Sequence, residues 1–249
     1  MIQLYGMSSP NVRKVVVALE EMGLAYEPHH VAVFRGEQFT EEFLALNPLA
    51  KVPVIRDPEG PAAGEPIFES GAILIYLAES YGPQFLPADG PARYAVLKWL
   101  MLQVASAGPA FGNHSHFRLQ HEANPYAARR FRHMAAQIYQ VLEGRLGKAD
   151  WLGGDAYSIA DMAVWPWARY LQRHGMDPAE FPNLTAWEAR IAERPAVIRA
   201  DGVIRRFGEQ DSADRVESPP AEREMLVGLH IPAPSAQAAA AIMTTTERT

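Results

Sequence analysis

The sequence predicts an α/β domain followed by an all-α domain, and three observations carry that prediction. Short strand-like runs alternate with helical periodicity only ahead of Pro83. A stretch with Pro83, Pro87 and Pro91 then breaks the pattern. From Ala92 to about Phe207 the apolar residues recur at helical spacing only, with turn signals between segments.

The first segment reads as a strand over Ile2–Tyr5 and a turn over Met7–Ser9. Ser9 then caps a helix that has Pro10 at the residue proline favours. Val12, Val15, Val16, Leu19 and Met22 form its apolar face, leaving Arg13, Lys14, Glu20 and Glu21 to the solvent side. Gly23 closes it, and Tyr26–Val33 is a second strand, parallel to the first because a helix joins them. Phe39–Leu46 is a short helix stopped by Asn47-Pro48. Lys51–Arg56 reads as a strand that contains Pro53; strands avoid interior prolines, so Pro53 points to a special backbone role such as a cis peptide. Pro66–Glu69 is a fourth strand, and Ser70 caps a helix to Tyr81 with Ile73, Leu74, Leu77 and Ala78 on one face.

In the second part, breaks fall near Asn124-Pro125, Gly153-Gly154 and Pro178–Pro182. Ser158 and Asp161 form a capping box with aspartate in place of the usual glutamate. The aromatic stripe Trp165, Trp167, Tyr170 reads as core packing. From Glu209 the chain turns polar and then rich in Pro, Ala and Thr, so residues 209–249 are expected to be a mobile tail.

Composition narrows the function classes. The 249 residues are 48% hydrophobic and 21% charged, enough to bury a sizeable core. The formal net charge of −6 argues against nucleic acid or an anionic membrane as partner. No apolar run approaches the ~18 residues of a membrane span. The N-terminus lacks the pattern of a secretory signal, so the cytoplasm is the expected compartment. The chain has no cysteine. It can therefore form neither a disulfide nor a thiolate nucleophile, and any sulfur chemistry needs a sulfur carried by a ligand. His114 and His116 are two apart and point to different sides of a helix, and His29-His30 is no better placed, so no metal is expected.

The fragments LYGMSSPN, GEQF, LNPLAKVPVI and FESGAILIYLAE, then WLGGDAYSIADMAVWPW and ERPA, carry a resemblance in their order and spacing. Over roughly the first 208 residues the chain resembles the cytosolic glutathione transferase superfamily, most closely its bacterial Nu class. The resemblance implies a thioredoxin-like domain with a four-stranded mixed sheet over 1–83, and a helical bundle domain over 92–208. It also implies a homodimer and a role in detoxification.

The resemblance assigns the site residue by residue. Pro53 is the family's cis proline, and Val52 would pair its backbone N–H and C=O with the cysteinyl unit of glutathione as an added strand. Ser70, at a helix start, would receive the γ-glutamyl carboxylate, and Glu69 the ammonium. Lys51 and Gln38 would meet the glycyl carboxylate and the peptide edge. Ser9 and Asn11 would face the sulfur, whereas the theta class would use the serine at position 8 instead. Tyr5 sits in a strand and reads as packing. Arg130, in the segment Pro125–Phe131, corresponds to an arginine that reaches toward the ligand.

The activity implied is reduction of small disulfides with non-covalently bound glutathione as co-substrate, accompanied by conjugation of electrophiles or reduction of peroxides. Two other readings stay open at the level of sequence. One is a glutathione-dependent isomerase or aromatic ether-cleaving enzyme on the same scaffold; Ser8-Ser9-x-x-x-Arg13 partly matches the zeta-class isomerase signature, with Pro10 where the cysteine would be. The other is a non-catalytic glutathione-binding regulator.

Overall fold

A computed structural model of the protein describes residues 1–119 and 123–218. Four strands, β1 (Ile2–Gly6), β2 (Tyr26–His30), β3 (Val54–Arg56) and β4 (Pro66–Phe68), form one mixed sheet in the order β2-β1-β3-β4. β2 runs parallel to β1 with Gly6 opposite His30. β3 is antiparallel to β1 with Tyr5 opposite Val54, and β4 is antiparallel to β3 with Val54 opposite Phe68. The joining helix α1 (Pro10–Glu21) makes the β1–β2 pair parallel, as the spacing predicts. Gly6 ends β1 where a Cβ would come within 2.6 Å of Val12, so glycine lets α1 fold back against the strand end.

The chain forms two compact units. One comprises Met1–Val16, Gly23–Ile73 and the described chain from Ala200; the other comprises Val17–Met22 and Leu74–Arg199. In the first unit Val31, Val33, Phe43 and Val54 are buried, with Tyr5, Met7, Phe34, Leu46, Val52 and Phe68 packed against them. This cluster lies under the segments that lead into the candidate site.

Several element ends differ from the sequence reading, each for a local reason. β2 stops at His30, and residues 33–35 and 37–39 are 3-10 turns around Gly36 in the left-handed conformation. α2 (Glu41–Leu46) starts two residues late because Thr40 caps it, accepting from the Phe43 N–H. β3 begins only at Val54; the three residues before it follow a loop in which the Asn47 side chain donates to the Lys51 C=O at 2.7 Å.

In the second unit α3 (Ser70–Tyr81) contributes its residues from Leu74, followed by α4 (Gly90–Leu102), a five-residue π segment (Gln103–Ala107) and α5 (Gly108–Leu119). Then come α6 (Pro125–Leu146), α7 (Ile159–Ala168) and α8 (Pro182–Ala192). α5 packs on α6, α6 on α8, and α7 on α4 and α8. The capping box at the start of α7 is present in both directions, and the fully buried Asp161 also accepts from the Leu152 N–H and the Trp187 indole. Burial lifts the Asp161 carboxyl above its ordinary range, and these donors pull against that shift. Trp165 is buried as expected, while Trp167 and Tyr170 are half-buried.

The last helix, α9 (Pro195–Glu217), corrects one expectation. The sequence reading ends ordered structure at 208, yet the helix runs nine residues further, and from Ala200 it belongs to the first unit. The carboxylates of Asp211, Asp214 and Glu217 recur every three residues along one face. They pair with Ser8, His30 and Arg35, partners about 180 to 200 residues away in sequence. Residues 219–249 of the expected tail lie outside the described residues.

Candidate functional site

The sheet register gathers three segments at one end of the first unit. Because β1 and β3 are antiparallel with Tyr5 opposite Val54, the residues after β1 and those before β3 emerge at the same end. Because β4 is antiparallel to β3 with Val54 opposite Phe68, the residues after β4 join them. That end therefore carries the Met7–Asn11 turn, Val52-Pro53 and Glu69-Ser70.

Each segment is held by identifiable contacts. The Val52–Pro53 peptide is cis, as the sequence reading expects, and Pro53 is buried while Val52 is half-buried. Asn47 fixes the approach: besides binding the Lys51 carbonyl, its Oδ1 accepts from the Leu49 N–H at 3.0 Å. Lys51 itself extends an exposed side chain. Glu69 has φ of 67° without being a glycine, a strained conformation that costs about 1 kcal/mol or more and recurs at binding sites. Its side chain is exposed, and Ser70 beside it is buried as the first residue of α3.

Gln38, on the second 3-10 turn, is 3% exposed, and its Oε1 has no hydrogen-bond partner among the described residues. A buried carbonyl oxygen left in that state has one unused acceptor position.

At the start of α1 the hydroxyls are differently committed. Ser8 donates both its N–H, at 2.9 Å, and its hydroxyl to one carboxylate oxygen of Asp211 on α9. The other Asp211 oxygen meets His30 Nε2 at 2.8 Å. The hydrogen of Ser8 is thereby spent inside the protein. The Ser9 Oγ accepts from the Val12 N–H at 3.3 Å, which caps the helix and leaves the Ser9 hydroxyl hydrogen unspent. Asn11 is half-buried on the first turn. Tyr5 is half-buried, stacks on His29 at 4.9 Å and directs its hydroxyl toward Gln3, in keeping with a packing role.

Two residues were missed in the sequence reading. Lys14, expected on the solvent face of α1, is 1% exposed, and its ammonium donates to Ser70 Oγ at 3.2 Å. Burial lowers it from the ordinary lysine range to about 7, with Glu69 pulling the other way. The missed signal is the run Val15–Leu19, whose five residues are all buried: a helix with no polar face there buries its neighbours too. Asp211 left no such mark, because its partners lie at the far end of the sequence.

Arg130 lies exposed on α6 in the second unit, with Arg129 and Arg132 exposed beside it. In the same unit His174 is buried with both ring nitrogens bonded, Nδ1 to the Tyr139 hydroxyl at 2.7 Å and Nε2 to Ser115 Oγ at 2.9 Å. His114 Nε2 meets the His174 carbonyl at 3.0 Å. Desolvation, with smaller contributions from His114 and Arg118, lowers the His174 imidazole to about 4. Among the described residues no group of three or more His, Cys, Asp or Glu could hold a metal ion, and no helix is long and apolar enough to cross a membrane.

Residues 8–80 match the glutathione S-transferase N-terminal domain and residues 97–195 match its C-terminal domain. The chain belongs to the glutathione S-transferase family. Among its relatives, the disulfide-bond oxidoreductase YfcG of Escherichia coli (strain K12) is 42% identical over 203 residues, covering 80% of this chain and 94% of the relative. The disulfide-bond oxidoreductase YghU of the same organism is 37% identical, covering 83% of this chain and 76% of the relative. Both relatives place this family member beside the bacterial Nu-type enzymes. A glutathione transferase family member from Pseudomonas fluorescens pf-5, solved with two glutathione bound, superposes with a TM-score of 0.74 at 39% identity, covering 80% of this transferase and 91% of that chain.

Proposed function

We propose that this transferase reduces small disulfides using glutathione bound without a covalent link to the protein. The observation that carries the reading is the convergence, at one end of the sheet, of the Met7–Asn11 turn, the Val52–Pro53 edge and the strained Glu69–Ser70 corner. A tripeptide with an anionic head, an extended backbone and a thiol matches that sequence of features from one side to the other. The disulfide oxidoreductase relatives and the bound glutathione in the Pseudomonas fluorescens protein support the same choice.

In this reading Ser70 and the start of α3 receive the γ-glutamyl carboxylate, and Glu69 takes the ammonium. Val52 adds the cysteinyl backbone as a strand, Gln38 uses its spare acceptor on a peptide N–H, and Lys51 meets the glycyl carboxylate. Ser9 and Asn11 donate to the sulfur and lower its proton affinity. Ser9 is preferred to Ser8 because the Ser8 hydrogen already serves Asp211. Arg130 keeps the role the family resemblance gives it, that of an arginine meeting the anionic ligand. Having no cysteine, the protein takes no covalent part. A glutathione thiolate attacks one sulfur of the substrate disulfide and expels a thiolate, and a second glutathione attacks the mixed disulfide. The products are glutathione disulfide and two thiols, with two electrons passed from the two glutathiones. The protein works as a homodimer, and conjugation of electrophiles or peroxide reduction accompanies this activity in detoxification.

The test is retention on immobilised glutathione followed by glutathione-dependent turnover of a small symmetrical disulfide. Activity that survives alkylation of the protein, once excess reagent is removed, supports the ligand-only sulfur chemistry. Retention without turnover sinks the oxidoreductase reading and favours a binding protein.

A further inference from the structure

We propose that Lys14 is the buried counter-cation of the carboxylate site at Ser70, charging that site from beneath and aiming the serine hydroxyl at the ligand. The inference rests on the reading above, in which Ser70 receives the γ-glutamyl carboxylate, and it adds a residue from a different element to that site. Lys14 is among the largest fully buried side chains of the protein. Its Nζ donates to Ser70 Oγ at 3.2 Å, so the serine oxygen is occupied as an acceptor from below and its hydrogen is left to point elsewhere. A ligand carboxylate arriving there accepts that hydrogen and an N–H of the first turn of α3, with the ammonium one atom behind.

The placement also explains why a lysine is tolerated in the interior. A buried ammonium is costly unless an anion faces it. Of the charged groups around it, Glu69 at the β4–α3 corner stabilises the ammonium, while Arg13 on the same helix is engaged by Asp201 of α9. Burial outweighs Glu69 and leaves Lys14 near 7. A second anion at Ser70 reverses part of that shift, so ligand binding above neutral pH draws a proton from solvent. The carboxylate is then recognised by charge as well as by hydrogen bonds.

The experiment uses S-methylglutathione, whose blocked sulfur releases no proton, and the same compound with its γ-glutamyl α-carboxylate converted to an amide. Calorimetry near pH 8 in two buffers of different ionisation enthalpy reads proton uptake. The wild type should take up about half a proton more than Lys14→Met with the carboxylate ligand, the ligand's own amine adding the same uptake to both proteins. Lys14→Met keeps the side-chain length and removes the charge. At pH 6.5 it should bind S-methylglutathione about ten- to a hundredfold more weakly, bind the amide as the wild type does, and melt no lower. Unchanged affinity in Lys14→Met, or proton uptake equal to wild type, overturns the assignment of Lys14 while leaving the glutathione site standing. A lower melting temperature with an unaltered preference for carboxylate over amide makes the lysine purely structural and also overturns it. Failure of the wild type to bind S-methylglutathione removes the functional reading and this inference together. If Lys14→Met does not fold, the desamino analogue of S-methylglutathione, which has no amine to titrate, decides on the wild type: binding without proton uptake near pH 8 overturns the proposal.

Discussion

Two helix starts in the first unit present serines at the same end of the sheet, and they dispose of their hydrogen bonds in different ways. At α1, Ser8 gives its hydroxyl and its N–H to Asp211, an internal carboxylate. At α3, Ser70 receives a bond from Lys14, an internal cation. A hydroxyl facing an internal anion has spent its hydrogen; a hydroxyl facing an internal cation still has it to offer. The same residue type at the same kind of position is thus a tie in one place and a receptor in the other, and the sign of the buried charge behind it decides which. Ser9 falls on the receptor side, since it too accepts from within.

The sharpest way to break this comparison is to remove the internal anion. Asp211→Ala strands the Ser8 donors and His30, and should cost about 2–4 kcal/mol of stability by urea denaturation. A stability within error of wild type would show that Ser8 is not tied, and its hydroxyl would then be as available as that of Ser70. A buried polar group that needs no ligand provides the control. His174 in the second unit is fully bonded by Tyr139 and Ser115 and titrates near 4, below the usual ~6.5 of an unfolded histidine. The unfolded chain binds the proton more tightly, so this contribution is complete above about pH 6.5 and declines as pH falls toward 4, by at most about 3 kcal/mol. Comparing the pH dependence of unfolding in wild type and His174→Gln checks it; parallel curves refute the assigned shift.

Next in size, Asn11→Ala should slow disulfide reduction about ten- to a hundredfold, the consequence of losing a donor worth roughly 1.5–3 kcal/mol to an anionic sulfur. Ser8→Ala, measured alongside, should leave that rate nearly intact and lose about 1 kcal/mol of stability instead. A rate loss in Ser8→Ala larger than in Asn11→Ala would invert the roles of tie and receptor. Ser70→Ala should weaken glutathione by about 1–3 kcal/mol in calorimetry and lose a comparable amount of stability, because it also takes an acceptor from the buried Lys14 ammonium. Full affinity in that variant moves the carboxylate site away from α3.

Much of this arrangement was legible in the residue order. The parallel β1–β2 pair follows from a helix between two short strands, the cis geometry at Pro53 from a proline inside a strand-like run, and the α7 start from Ser158 and Asp161. These are local signals: capping, turn chemistry and periodicity act over a few residues and leave their pattern in the chain. The ends of β2, α2 and β3 were less legible, because Gly36, Thr40 and the Asn47–Lys51 bond outweigh propensity there.

The sequence by itself determined which residue types stand at the two helix starts, and that any reactive sulfur must come from a ligand, since no cysteine is present. Only the tertiary structure decided what lies behind each serine. Lys14 looked like a solvent-facing charge until the all-apolar run after it was buried and its ammonium met Ser70. Asp211 looked like part of a polar tail until α9 brought it to Ser8 and His30. The physical reason is common to both. A buried charge is tolerated only beside its partner, and when the partner is 56 or 203 residues away the pairing exists only in the folded chain.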